Sequence, residues 1–246
     1  MIEVAELTKK YGTRLAIDKL SFTIPDGQIA GLLGLNGAGK STTMNILTGC
    51  LSSSSGTVKI NGIDIAEESE KAKRCIGYLP ETPPVYADMK ICEYLDFIYN
   101  IKRARERVAP EGSRKEQGIQ KKQHIEEVCC RTGINDVYTR LIKNLSKGYK
   151  QRLGIAAAIV GNPEVLVFDE PTVGLDPAQI IEIRNLIADL GKSGTVIFSS
   201  HILSEVQLLC DRVIVLHNGT IAADIEPHES ESLEKIFIDI VKGENA

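Results

Sequence analysis

The most informative part of this sequence is Gly34-Leu35-Asn36-Gly37-Ala38-Gly39-Lys40-Ser41-Thr42, which fits the pattern G-x-x-x-x-G-K-[ST] at every fixed position. Glycines allow backbone N–H groups to turn onto phosphate oxygens, and a following helix adds its positive N-terminal end. We therefore expect Lys40 to reach the β- and γ-phosphates of a nucleotide and the Ser41 hydroxyl to take one Mg²⁺ position. The predicted phosphate-binding residues are Gly34, Asn36, Gly37, Ala38, Gly39, Lys40, Ser41 and Thr42.

Apolar runs elsewhere in the chain place this loop in an α/β fold. The run Gln28–Leu33 leads straight into the loop, as a strand buried on both faces would. Two more runs, Val165–Phe168 and Thr195–Phe198, flank a helical pattern around Ile183. Strands that alternate with helices predict βαβ units and a mainly parallel sheet.

The remaining segments predict additions to that sheet. Short alternating patterns at Ile2–Val4, Leu15–Ile17 and Phe22–Ile24, with a hairpin signal at Gly56–Gly62, predict an N-terminal antiparallel β subdomain. Residues from about 88 to 160 have helical spacing and predict a helical insert. A final amphipathic helix is predicted by the spacing of Leu233, Ile236, Phe237, Ile240 and Val241.

Length and composition exclude several classes of protein. We interpret residues 1–246 as one large domain, and 43% hydrophobic with 25% charged residues exclude a disordered chain. The formal net charge of −4 gives no global reason to expect a nucleic-acid-binding protein. No apolar run approaches the ~20 residues of a membrane-spanning helix and no signal peptide is visible, so a cytoplasmic protein is expected. The six cysteines lie in no C-x-x-C pair and are interpreted as reduced thiols.

Two acids, Asp169 and Glu170, directly follow the apolar run Val165–Phe168. At the carboxyl end of a parallel strand beside a nucleotide loop, one carboxylate can hold Mg²⁺ and the next can orient a water. An acidic pair that stands alone after a strand is more often a solvated terminus. The lysine-containing loop upstream reverses that preference, so Asp169 is a candidate metal ligand and Glu170 a candidate catalytic residue.

Three further segments make the pattern specific. Leu145-Ser146-Lys147-Gly148-Tyr149-Lys150-Gln151-Arg152 lies upstream of the two acids, and Gly174-Leu175-Asp176 and Ser200-His201 lie downstream. In this order, together with the phosphate loop, the segments resemble the nucleotide-binding domain of ATP-binding cassette (ABC) proteins over nearly the whole chain. The resemblance implies a P-loop NTPase fold that hydrolyses ATP with Mg²⁺. It also implies two cassettes facing head to tail, in a homodimer or a heterodimer, with two ATP molecules held between them.

The resemblance implies a role for each matching residue. Tyr11 takes the aromatic position that stacks on adenine. Asp169 takes the position of the Mg²⁺ carboxylate, and Glu170 that of the catalytic carboxylate that polarises the attacking water. His201, 31 residues after Glu170, takes the position of the switch histidine that contacts the γ-phosphate. Asp176 matches the loop that communicates across the dimer and is grouped with the nucleotide-binding residues.

The capping segment and one metal position depart from the family pattern. Ser146 and Gly148 are implied to cap the ATP held by the other subunit. The usual signature has Gly and Gln where this chain has Lys147 and Tyr149, but the hydroxyl and backbone N–H that reach phosphate remain, so we expect the capping role to survive. At Glu81 the family more often has a Gln that touches Mg²⁺ and senses the membrane subunit. A carboxylate also binds a hard cation, so Glu81 stays a predicted metal ligand and nucleotide contact.

Two functions remain open from the sequence. The first is an ATPase subunit that powers export through a separate membrane-spanning partner, as a peripheral protein on the inner face of the cell membrane. Relatives that share Glu81, the Ser146-Lys147-Gly148 signature and a short C-terminal helix resemble such cassettes. The second is a soluble cassette ATPase that acts on nucleic acid or ribosomes. A GTPase is disfavoured because the chain has no Asn-Lys-x-Asp motif for guanine.

One basic segment is the sole support for the second function. Lys102–Lys122 holds eight basic residues against three acidic ones, and we interpret it as a mobile, solvated excursion of the helical insert that lies near the membrane subunit or anionic lipid headgroups. Soluble members of the family usually carry two cassettes in one chain or a long coiled-coil insert, and this chain has neither. The transport function is therefore preferred, and no nucleic-acid partner is expected.

Overall fold

The computed structural model describes residues 1–104, 114–227 and 233–243. The strands are β1 (Ile2–Tyr11), β2 (Arg14–Ile24), β3 (Ile29–Leu33), β4 (Ser55–Ile60), β5 (Ile63–Asp64), β6 (Ile76–Leu79), β7 (Val165–Phe168), β8 (Thr195–Ser200), β9 (Arg212–His217) and β10 (Thr220–Ile225). The α-helices are α1 (Lys40–Leu47), α2 (Ser69–Arg74), α3 (Ile91–Ala104), α4 (Arg114–Thr132), α5 (Lys147–Ile159), α6 (Pro177–Gly191), α7 (Leu203–Leu209) and α8 (Leu233–Lys242).

An antiparallel sheet of order β2-β1-β4-β5 forms the N-terminal layer, as predicted. Its strands β1 and β2 are longer than the short strands expected from the alternating pattern. The backbone turns left-handed at Glu6 (φ 50°) and Lys19 (φ 51°), and the pairing of β1 with β2 shifts register beside both residues. Such bulges interrupt the alternation of inward and outward side chains, so the sequence pattern breaks into shorter pieces than the strands themselves.

The second sheet has the order β10-β9-β3-β8-β7-β6 and is parallel except for β10, which confirms the predicted mainly parallel sheet. Strands β3, β7 and β8 are buried along their whole length, as their continuous apolar runs predict. These three strands are neighbours, and their carboxyl ends lead into the phosphate loop, Asp169 and His201. The strand order therefore brings three distant sequence segments to one edge of the sheet.

Strand β7 separates two apolar cores. Leu166 and Phe168 face the core that the sheet shares with α3, α4, α5 and α6. Val165 and Val167 face the opposite core, which is closed by α1 and the N-terminal sheet. A strand with a core on each side is held rigidly, so the acids that follow it start from a fixed position.

The predicted helical segment contains α3, α4 and α5, but its basic stretch differs from the expectation. Residues 105–113 lie outside the described residues. Lys102 Nζ donates to the carbonyl oxygens of Ala158 (2.8 Å) and Val160 (2.6 Å), and Lys121 forms an ion pair with Asp96. The prediction of a solvated excursion is therefore wrong for Lys102 and Lys121, because carbonyls at the end of α5 and a carboxylate on α3 hold these ammonium groups.

The C-terminal amphipathic helix is present as α8. Leu233 is buried, and Phe237 and Ile240 pack against the core that the sheet shares with α3 to α6. Among the helices in the described part of the chain, none combines the length and the apolar character that a membrane crossing requires. All six cysteines carry free thiols.

Candidate functional site

A pocket of about 470 Å³ opens at the edge of the sheet where β3, β7 and β8 end. It lies between the phosphate loop and the hairpin that joins β1 to β2. The lining residues are Tyr11, Arg14, Ala16, Asn36, Gly37, Gly39, Lys40, Ser41, Thr42, Glu81, Glu170, Val173 and His201. The structure thus gathers most of the predicted nucleotide-binding residues around one cavity.

The phosphate loop between β3 and α1 depends on its glycines. A Cβ on Gly34 would lie 2.5 Å from the carbonyl oxygen of Leu216, so the backbone passes too closely for any other residue. Gly39, just before α1, has a φ of 107°, and a Cβ there would lie 2.9 Å from the carbonyl oxygen of Ala16. These conformations favour glycine and turn the loop around the N-terminus of α1, where anions are stabilised.

Lys40 is buried at the start of α1 and directs its ammonium group into the loop. Its Nζ donates to the carbonyl oxygen of Gly34 at 2.7 Å and lies 3.3 Å from Glu170 Oε1. The side chain is only 5% exposed, so its position is fixed by the surrounding protein. A buried positive charge inside a glycine-rich loop at a helix N-terminus fits the phosphate groups of a nucleotide.

Asp169 lies directly after β7 and accepts two hydrogen bonds on one carboxylate oxygen. Ser199 Oγ donates to Oδ1 at 2.6 Å and Ser41 Oγ at 3.2 Å. Burial raises the pKa of Asp169, the two hydroxyl donors lower it, and the nearby carboxylates of Glu170 and Glu81 raise it further. A carboxylate and a hydroxyl this close, with a second carboxylate nearby, form a set of oxygen donors that fits Mg²⁺.

Glu170 and His201 meet across the ends of β7 and β8. His201 Nδ1 lies 2.8 Å from Glu170 Oε2, and the Glu170 side chain is buried. Glu170 adopts a left-handed backbone conformation (φ 48°), which is uncommon for a residue other than glycine and is found preferentially at functional sites. Its backbone N–H donates to Ser199 Oγ at 2.9 Å, which holds the strained residue against β8.

Two predicted residues line the rim of the pocket. Tyr11 ends β1 with 49% of its surface exposed, and Lys9 Nζ lies 5.3 Å from the centre of its ring. Glu81 follows β6, and its charge acts on Asp169 as described above. The exposed ring and the second carboxylate therefore both face the cavity at positions where a bound nucleotide would meet them.

Ser146, Gly148 and Asp176 are not among the residues that line the pocket. Ser146 is the N-cap of α5 and accepts a hydrogen bond from the Tyr149 backbone N–H, and Asp176 is the N-cap of α6. Gly148 packs so tightly on α6 that a Cβ would lie 2.6 Å from Gln179 Cδ. The structure therefore joins the capping segment to the start of α6 instead of to the phosphate loop.

The two residues that depart from the family signature have defined contacts. Lys147 Nζ lies directly against Gly174. A Cβ built on Gly174 would be 2.1 Å from this nitrogen. Tyr149 donates its hydroxyl to Asp136 Oδ2 at 2.6 Å, and this hydrogen bond raises the pKa of Tyr149. Lys147 thus connects the capping segment to the loop that carries Asp176.

Sequence reasoning missed four residues of the site. Arg14, Ala16 and Val173 line the pocket, and Ser199 holds both acids. The hairpin that carries Arg14 reaches the pocket through the fold alone, and no motif marks it. A signal existed for Ser199, because a buried polar residue at the end of an apolar strand, two positions before His201, requires a hydrogen-bonding partner.

Comparison with known proteins agrees with this geometry. The sequence model described as ABC transporter matches residues 17–173. The bacitracin transport ATP-binding protein BcrA of Bacillus licheniformis is 39% identical over 227 residues, which are 92% of this chain and 69% of that protein. The lantibiotic transport ATP-binding protein SrtF of Streptococcus pyogenes is 35% identical over 238 residues, which are 96% of each chain.

A solved structure supports the same assignment at the level of the fold. The structure of an ATP-binding subunit of an ABC transporter matches with a TM-score of 0.82 and 26% identity, over 98% of this chain and all of that one (100%). The phosphate loop and the two acids after β7 lie within residues 17–173, which the family model matches. The chain therefore belongs to the ABC transporter family, as one of its ATP-binding, ATP-hydrolysing subunits.

Proposed function

We propose that this chain is one of two cassettes that face each other head to tail, bind two molecules of Mg·ATP between them and power export through a separate membrane-spanning subunit. The observation that carries the proposal is a division of the predicted site. Lys40, Glu170 and His201 converge on one pocket, whereas Ser146 and Gly148 lie at the start of α5, outside it. One subunit thus supplies the binding and hydrolytic groups, and a second supplies the cap.

Binding of ATP uses the loop and the rim of the pocket. The phosphates lie along the backbone amides of the loop, with Lys40 at the β- and γ-phosphates. Tyr11 offers an exposed ring face on which the adenine stacks. Mg²⁺, when bound, is held by Ser41, Asp169 and Glu81 and neutralises charge on the phosphates.

Hydrolysis places a water between Glu170 and the γ-phosphorus. As the oxygen of that water attacks the γ-phosphorus, Glu170 accepts a proton from the water. The bond between the γ-phosphorus and ADP breaks on the opposite side, and ADP and inorganic phosphate are released. A general base of this kind contributes ~10²- to 10⁴-fold in rate. His201, 2.8 Å from Glu170, fixes the carboxylate on one side and contacts the γ-phosphate on the other.

The cap comes from the second subunit. The N-terminus of α5 presents the Ser146 hydroxyl and the backbone N–H of Gly148, and a helix N-terminus stabilises an anion such as the γ-phosphate. Loss of one such preorganised donor typically costs ~3 to 4 kcal/mol of transition-state stabilisation. A single subunit is therefore expected to hydrolyse ATP very slowly.

The export function and the location follow from the relatives. BcrA and SrtF are named as ATP-binding proteins of bacitracin and lantibiotic transport. We infer that this chain likewise serves an export system, bound to its membrane-spanning subunit on the inner face of the cell membrane, where ATP is available. The nucleic-acid alternative is weakened for two residues of the basic segment, because Lys102 and Lys121 are engaged within the chain.

Complementation between two inactive variants tests the shared site. Lys40→Ala removes the binding function and Ser146→Arg the cap, so each purified variant should be inactive. A mixture in equal amounts should recover about a quarter of the wild-type ATPase activity, because about half of the dimers are mixed and each has one complete site. The matched control is a mixture of Lys40→Ala with the double variant Lys40→Ala/Ser146→Arg. It should recover no activity, because no subunit in it has an intact phosphate loop. Absence of recovery in the first mixture would contradict the proposal. So would an activity per molecule of the wild-type protein that stays constant when it is diluted until only monomers remain.

A further inference from the structure

Glu205 is buried and contacts the two segments that carry Glu170 and His201. It belongs to the first turn of α7 and is only 5% exposed. Its Oε2 accepts two hydrogen bonds, one from Thr172 Oγ1 at 2.9 Å and one from Ser200 Oγ at 2.8 Å. Both donors are buried as well. One carboxylate oxygen therefore joins the turn after β7 to the last residue of β8.

Each donor lies close to a residue of the hydrolytic site. Thr172 is two positions after Glu170 and belongs to the turn in which the Val173 N–H donates to the Glu170 carbonyl oxygen at 3.2 Å. Ser200 directly precedes His201, and its Oγ also accepts from the Ile202 N–H at 3.0 Å, so this turn encloses the histidine. Glu205 is thus hydrogen-bonded to one residue close to Glu170 and to another directly beside His201.

The other oxygen of Glu205 adds a cost to burying a carboxylate here. Within the described residues, Oε1 is buried and has no hydrogen-bonding partner. A buried carboxylate with an unsatisfied oxygen retains part of its desolvation cost. A buried polar atom left without a partner in a native structure calls for an explanation, and a functional role supplies one. A carboxylate is a stronger acceptor of hydroxyl hydrogen bonds than a neutral oxygen is, and Oε2 accepts two such bonds.

We propose that Glu205 is a positioning residue for ATP hydrolysis, which holds Glu170 and His201 at their working separation through Thr172 and Ser200. This inference rests on the proposed roles of Glu170 and His201. Glu205 has no contact with Lys40 or the phosphate loop among its hydrogen bonds, so its effect falls on the chemical step and leaves nucleotide binding intact. A displacement of about 1 Å at a reacting group lowers the rate by up to ~10²-fold.

The experiment separates positioning from mere support of the fold. Glu205→Ala is expected to lower kcat by ~10- to 100-fold while the affinity for ATP, measured by equilibrium binding, changes by less than about twofold. Glu205→Gln keeps an acceptor oxygen and should recover part of kcat. Thr172→Val should lower kcat, and Thr172→Ser, which keeps the hydroxyl, should restore it. Thr132→Val is the matched control, since Thr132 is a fully buried threonine whose hydroxyl bonds within α4.

A double-variant cycle tests whether the effect passes through Glu205. Combining Glu205→Ala with Thr172→Val should reduce kcat no further than Glu205→Ala alone, because the shared contact is already lost. Additive losses would overturn the proposal, as would wild-type kcat in Glu205→Ala. Equal losses of ATP affinity and kcat would also overturn it, because they would indicate a structural role. If Glu205→Ala fails to fold, Thr172→Val and Thr172→Ser, compared with Thr132→Val, decide the same question.

The proposed function and the role of Glu205 can be refuted by different results. If Glu170→Gln hydrolyses ATP at the wild-type rate, the assignment of the base is wrong, and the inference about Glu205 falls with it. If Glu170→Gln is inactive and all Glu205 and Thr172 variants have wild-type kcat, the proposed function stands and only the role of Glu205 is refuted.

Discussion

Removal of one hydroxyl, in Ser199→Ala, is expected to weaken the fold and the hydrolytic site together. Ser199 is fully buried on β8, donates to Asp169 Oδ1 at 2.6 Å and accepts from the Glu170 backbone N–H at 2.9 Å. The alanine side chain fits the same space but makes neither bond. The change therefore tests how far the two acids depend on a residue that no motif identified.

The structure allows the cost to be estimated. A hydrogen bond to a charged acceptor contributes ~1.5 to 3 kcal/mol, and a buried N–H left without a partner costs ~1 to 3 kcal/mol. Together Ser199→Ala should lower the free energy of unfolding by about 2.5 to 6 kcal/mol, a large part of the ~5 to 15 kcal/mol of a typical protein. For a chain of this length the corresponding fall in Tm is roughly 5 to 25 °C. Because Glu170 loses its anchor, kcat should also fall.

Denaturant unfolding and a steady-state ATPase assay measure both effects. Ser193→Ala is the control: Ser193 donates one neutral hydrogen bond to the Leu190 carbonyl oxygen at the end of α6, so its loss should cost about 1 kcal/mol or less. If Ser199→Ala were as stable as Ser193→Ala, the reasoning about the buried Glu170 N–H and the Asp169 contact would be refuted.

Four further substitutions test three acids of the site. Glu170→Gln should bind ATP normally and accumulate as a nucleotide-bound dimer while kcat falls ~10²- to 10⁴-fold, and near-normal turnover would contradict its role as base. Glu81→Gln should retain ATPase activity because the amide oxygen still binds Mg²⁺, whereas Glu81→Ala should lose most of it; equal losses in the two variants would refute the metal contact. Asp169→Asn should abolish Mg²⁺-dependent hydrolysis yet raise the Tm of the nucleotide-free protein at pH 7. Burial raises the pKa of Asp169 above its usual value of 3.8, so the folded chain binds that proton more tightly than the unfolded chain, and stability is lost as the pH rises through the folded pKa. The gain in Tm from Asn should therefore shrink as the pH falls toward 3.8, and a pH-independent difference would contradict this cause.

The residues that follow buried strands could be predicted from the sequence. Lys40 and Asp169 each come after a continuous apolar run, and the carboxyl ends of parallel strands meet at one edge of a sheet. Their convergence therefore required only that the two runs be strands of the same sheet. The role of His201, by contrast, was taken from the family resemblance. The roles of Ser146 and Gly148 came from resemblance alone, since nothing in the spacing of the chain brings them near the phosphate loop.

The contacts that depend on strand order could not be predicted. Ser199 reaches both acids because β8 lies directly between β3 and β7, and local patterns do not encode that order. Glu205 joins Thr172 to Ser200 for the same reason. Lys102 was misjudged because a lysine in a basic stretch resembles a solvated residue until the end of α5 is placed beside it. In each case a long-range contact outweighed the local pattern.

Helix α5 is held at both ends, by Ser146 at its start and by Lys102 at its last carbonyl groups. A helix of 13 residues is about 20 Å long, so a small tilt of the helix displaces its start by a distance that grows with this length. If α3 tilted the far end by only about 5°, Ser146 would move by nearly 2 Å, more than a hydrogen bond tolerates. In the proposed dimer, a small rotation of the helical segment would therefore be enough to bring Ser146 into or out of hydrogen-bonding distance of the γ-phosphate held by the other subunit.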